Sequence, residues 1–134
     1  MSQHHTALVH TMVLVSAADR EMTDAEMTTI GEIVSHLPVF ADYDLERLPK
    51  EAQACAELLS EDNGLEKVLS QIVAGLPEKL KETAYAIALD VAAADGKASQ
   101  EELRLLEMLR HRLAVGRLPA AAIERGARAR YTRL

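Results

Sequence analysis

A helical hairpin written twice is the feature that most restricts this chain. Ala84 to Leu113 reads AYAIALDVAAADGKASQEELRLLEMLRHRL: a helix of small apolar residues, an Asp-Gly break, a capping signal and an amphipathic helix. A diverged copy, LVSAADREMTDAEMTTIGEIVSHL, is displaced from it by 76 positions. In that register Ala17-Ala18-Asp19 falls on Ala93-Ala94-Asp95, Thr23 on Ser99 and Glu26 on Glu102. Met27, Ile30 and Ile33 then fall on Leu103, Leu106 and Leu109.

Both copies place Ser or Thr three residues before Glu, ahead of an aliphatic run. The hydroxyl can accept from the third helical amide while the glutamate reaches back to the cap's own amide. Each copy therefore predicts a buried helix, an acidic turn and an amphipathic helix. Two copies should pack their buried helices together at the centre, with the amphipathic ones outside about a pseudo-two-fold axis. No sheet is needed.

Composition agrees. Only four of 134 residues are aromatic, so Ala, Leu, Ile, Val and Met must fill the interior, and the abundant residue types are mostly good helix formers. The expected class is all-α, a single domain over 1–134. Leu8, Val9, Met12, Val13 and Leu14 surround most of one helix, the pattern of a buried one. Further helices are expected over about 24–36 (ended by Pro38), 50–60, 65–74 and 78–94, with Asp62-Asn63-Gly64 as a strong break. Gly116 is expected to close the helix after Ser99, and Pro119 to start a short last one. Residues 118–134 read as a basic, partly flexible C-terminal tail, although Tyr131 and Leu134 could dock.

A single cysteine, Cys55, excludes an internal disulfide. No apolar run reaches the roughly 18 residues that span a bilayer, and no signal peptide is evident, so a cytoplasmic protein is expected. Net charge is −6 but uneven: residues 1–103 carry 7 basic against 19 acidic side chains, residues 104–134 carry 8 against 2. The Arg-rich end, with Arg125, Arg128, Arg130 and Arg133, suits an anionic partner, either an acidic protein or acidic lipid headgroups at a membrane surface. It equally suits packing on the chain's own acidic surface. A nucleic-acid motif is missing and the pI is about 5.3, so no specific nucleic acid is expected.

Catalytic patterns are missing as well: there is no nucleophile elbow, phosphate loop or dinucleotide turn. His4, His5 and His10 lack the i, i+4 spacing of a helical zinc pair, and His36 and His111 sit where an imidazolium favours a helix C-terminus. Cys55 lies on an apolar stripe and reads as a buried structural cysteine. Asp90, alone among alanines, reads as either a hydrogen-bonded packing residue or part of an acidic cluster with Asp95, Glu101 and Glu102.

The words AIALDVAAADGKASQEELRLLEML and, more weakly, VLVSAADREMTDAEMTTIGEIV resemble the TerB-like family, the tellurite-resistance TerB proteins and a related domain found before the J-domain of some co-chaperones. The resemblance covers about 8–116. It implies an all-α domain of roughly seven helices, duplicated internally, and a role in resistance to tellurite and other chemical stress with no catalysis assigned. It also implies acidic turn residues as metal ligands: Asp19 and Glu26 in the first copy, Asp95 and Glu102 in the second. Arg20 stands where Gly96 does, which weakens the first turn as a site. Oxygen ligands suit Ca²⁺ or Mg²⁺, but the two glutamates are already explained as capping partners. The reading carried forward is a non-catalytic binding or scaffold module with a protein partner and no cofactor, homo-oligomerisation being left open. The alternative is a Ca²⁺, Mg²⁺ or Mn²⁺ sensor or buffer.

Overall fold

In a computed structural model, residues 3–18, 22–94, 96 and 98–134 are described. Seven α-helices are found among them and no strand: α1 (Gln3–Ser16), α2 (Asp24–His36), α3 (Leu48–Leu59), α4 (Gly64–Gly75), α5 (Lys81–Ala93), α6 (Gln100–Arg112) and α7 (Arg117–Arg130). Single 3₁₀ turns occur at Pro38–Phe40, Leu45–Arg47 and Glu78–Leu80.

The two helices expected at the centre are there. Every residue of α1 from Ala7 to Ser16 is buried, and α5 buries Ala84, Tyr85, Ile87, Ala88, Val91 and Ala92. They pack on each other. A helix apolar on nearly all faces has to be enclosed on nearly all faces, and here α3 and α4 cover α1 while α2, α6 and α7 cover α5.

Both capping boxes form. Thr23 Oγ1 accepts from the Glu26 amide at 3.1 Å and Glu26 Oε1 takes the Thr23 amide at 3.1 Å. Ser99 and Glu102 repeat this at 3.1 and 2.9 Å. The Asn63-Gly64 break is also as expected: Asn63 is left-handed (φ 57°), and a Cβ on Gly64 would lie 2.4 Å from the Leu58 carbonyl oxygen. Only glycine lets α4 start that close to the end of α3.

Three local expectations are corrected. The first helical turn of α3 begins at Leu48, two residues early, because Asp44 caps the preceding 3₁₀ turn by accepting from the Glu46 amide at 3.0 Å. The residue that turns the chain after α6 is Ala114 (φ 56°), whereas Gly116 is extended and stands at the N-cap of α7. The turn is closed by two backbone hydrogen bonds, from the Val115 amide to the Arg110 carbonyl at 3.0 Å and from the Ala114 amide to the His111 carbonyl at 3.1 Å, and Leu113 and Val115 on either side are buried.

The third concerns the expected tail, which is a helix as far as Arg130. Ala120 and Ala127 are buried and Ile123 is half-buried against the core, a stripe at helical spacing. Arg130 Nη2 also donates to Asp90 Oδ1 on α5. Asp90, 19% exposed, is thus the packing residue that ties α7 to α5. Tyr131 is half-buried and Leu134 is fully exposed.

Candidate functional site: the groove between α5, α6 and α7

Helices α6 and α7 both lie on α5, and the short side chains of α5 leave a furrow between them. It encloses about 940 Å³. Its floor is apolar, with Leu89 and Ala92 from α5, Leu103 and Leu106 from α6, and Ala120 and Ala127 from α7. Leu103 is 51% exposed, a large share for a leucine on the amphipathic helix of the second hairpin. Small residues make the furrow because an alanine contributes no bulk beyond its Cβ.

The rim is charged. Arg110, Arg117 and Arg128 stand along it with Glu107 and Glu124. Glu124 is engaged, since Tyr85 Oη donates to it at 2.6 Å; burial and this acceptor hold the phenol well above its ordinary pKa. Among the described residues none of the three arginines has an acidic partner within ion-pair distance. The arrangement is an apolar trough under a basic rim.

Of the four arginines singled out from sequence, the fold brings only Arg128 to this groove. Arg130 is paired with Asp90, Arg125 is exposed outside the groove lining, and Arg133 lies past the end of α7. Sequence reasoning missed Arg110 and Arg117. The signal was present: Arg117, Ala121, Glu124 and Arg128 share one face at i, i+4, i+7 and i+11. Arg110 follows Leu106 by one turn on α6.

The acidic positions stand differently. Glu26 and Glu102 are each 1% exposed and each serves in a capping box, and Ser16 Oγ donates to Glu26 Oε1 at 3.1 Å. Asp19 and Asp95 lie outside the described residues. Among the described residues no three His, Cys, Asp or Glu side chains group as metal ligands would.

Cys55 is buried, its Sγ 3.8 Å from the His10 carbonyl oxygen, and burial pushes the thiol up to about 12. His36 Nδ1 lies 2.9 Å from the Glu32 carbonyl in the last turn of α2. No helix among the described residues is long and apolar enough to cross a membrane.

An all-α helical domain with an apolar, basic-rimmed groove is the class these features define. Residues 5–124 match the family model of tellurite resistance protein TerB, and the chain belongs to the TerB family. No curated protein and no solved structure matches it.

Proposed function

We propose that this TerB-family chain is a non-catalytic binding or scaffold module of the tellurite-resistance, chemical-stress type, and that its α5/α6/α7 groove takes an acidic amphipathic helix of a partner protein. The reading rests on one observation: three arginines without acidic partners among the described residues border an apolar trough. An amphipathic helix offers what such a trough lacks, apolar side chains at i, i+3 and i+4 with carboxylates flanking them. A lipid surface is flat and suits a furrow less well than a helix does. Charge on the rim sets the sign of the partner and the apolar floor supplies most of the affinity.

The test uses a synthetic helical peptide of leucine and glutamate on a labelled chain, with fluorescence anisotropy as the readout. Binding is expected to weaken with salt, because exposed charges are screened within about 8 Å at 0.15 M ionic strength. Leu103→Asp should remove most of it. Arg117→Glu and Arg128→Glu should each cost up to about 1 kcal/mol, roughly fivefold in Kd. A leucine–lysine peptide that binds equally well, anionic vesicles that bind in its place, or no binding by either peptide would sink the reading. For the cellular role, a strain lacking the gene should regain tellurite tolerance with the wild-type chain and not with Leu103→Asp.

A further inference from the structure

A second pocket lies apart from the groove. It opens between the N-terminal half of α1, the start of α3 and the last turn of α4, and holds about 420 Å³. Gln3, Thr6 and His10 of α1 line it, with Arg47 and Gln71 opposite and Ala7 and Ala74 as its apolar part. At its base α1 and α4 nearly touch: a Cβ on Gly75 would lie 3.1 Å from Ala7 Cβ.

His10 is the unusual residue. It is 7% exposed, and among the described residues its ring makes no hydrogen bond, while its backbone carbonyl also lies 3.8 Å from Cys55 Sγ. Burial lowers its pKa from the ordinary value against the smaller opposing pull of Glu51, which favours the neutral ring. A neutral imidazole carries one donor and one acceptor, and neither ring nitrogen of His10 is sealed from solvent, so both are open to a ligand in the pocket. The space beside this ring is the pocket.

Arg47 is already aimed. One of its five N–H groups donates to Glu51 at 3.1 Å, and its guanidinium lies 5.7 Å from the centroid of the Tyr43 ring. Glu51 also takes the hydroxyls of Thr6 and Tyr43, which fixes the carboxylate and so the guanidinium. The remaining N–H groups of Arg47 have no acceptor among the described residues. The pocket thus offers a held guanidinium, an imidazole and two primary amides around a small apolar wall.

We propose that this pocket binds a small organic carboxylate, with its oxygen atoms on Arg47 and His10, its polar body within reach of Gln3 and Gln71, and its carbon skeleton against Ala7 and Ala74. An inorganic anion would leave the alanine wall and most of the volume unused. Guanidinium–carboxylate hydrogen bonds are the stronger kind because both partners are charged. A free metabolite and the carboxyl end of a peptide share this chemistry.

The experiment follows the imidazole NMR signals of the full chain during titration with succinate, with N-acetylglycylglycine, and with succinamide as the neutral control. His10 signals are expected to move saturably with a Kd in the low-millimolar range or tighter, roughly 5 mM or below. The exposed His36 and His111 should stay still. The stronger of the two carboxylates identifies the source, metabolite or peptide end. Arg47→Gln should abolish the response. Because Arg47 also packs on Tyr43, the exposed Gln71→Leu is the second variant, expected to fold normally and to weaken binding at least about threefold. Absence of saturation by about 50 mM, equal movement of His36 and His111, equal binding of succinamide, or unchanged affinity in Gln71→Leu would each overturn the proposal.

Discussion

Ser16 Oγ donates a hydrogen bond to Glu26 Oε1 at 3.1 Å, and the same carboxylate oxygen takes the Thr23 amide. One glutamate therefore caps α2 and also holds the end of α1 against it. Ser16 is fully buried and Glu26 nearly so. In the second hairpin the position 76 residues on is Ala92, so the hydroxyl link belongs to the first hairpin only.

Ser16→Ala leaves part of a buried carboxylate without its donor. A hydrogen bond to a charged group contributes about 1.5–3 kcal/mol, and the loss should show as that much destabilisation in urea unfolding. Thr23→Ala and Ser99→Ala each remove a cap and should cost about 1 kcal/mol. A Ser16→Ala variant as stable as the wild type would show that Glu26 is held by the capping box alone.

Ala114 sits at φ 56°, where a Cβ is unfavourable by roughly 1–2 kcal/mol and glycine is not. Glycine also has more freedom to lose on folding, so the net gain is smaller. Ala114→Gly is expected to raise stability by about 0.5–1 kcal/mol, read as a higher melting temperature. Gly116→Ala, at an extended position, should change it little.

Burial lowers the pKa of His10, and His4 is shifted the same way. The unfolded chain then binds protons that the folded chain refuses. Stability is full above the unfolded value of 6.5 and falls as pH drops from there towards the folded pKa. The steepest contribution of one histidine is about 1.4 kcal/mol per pH unit. Denaturant titrations at successive pH values should show this decline, and His10→Gln should flatten it.

The thiol of Cys55 is expected to be inert in the folded chain, since it is buried and raised to about 12. A thiol reagent should label it only through unfolding, at a rate that rises with denaturant. Labelling of the native chain as fast as free cysteine would contradict this.

Much of the fold was legible in the residues because its signals are local. A capping box needs only positions i and i+3, and Asn63-Gly64 announces its own turn, so helix starts and breaks could be read without knowing what they pack against. The burial of α1 was legible from apolar residues on nearly every face. Ala114 was not, because the left-handed position that the helix-ending bonds of Val115 and Ala114 require is one glycine usually takes, and Gly116 stands two residues on. The order of α7 was hidden for another reason: Asp90 and Arg130 are 40 residues apart, and neither position advertises the other.

The amino-acid order by itself determined that this is an all-α chain of the TerB family, with two buried helices and two capped amphipathic ones, since propensity, capping and hydrophobic period act over a few residues. Tertiary structure alone decided which charges face each other. It sent Arg130 to Asp90, lined Arg110, Arg117 and Arg128 along one groove, and put His10 and Arg47 on the wall of one pocket. Side chains from different helices meet only after those helices have packed, and the angle and spacing of that packing are not written in any single helix.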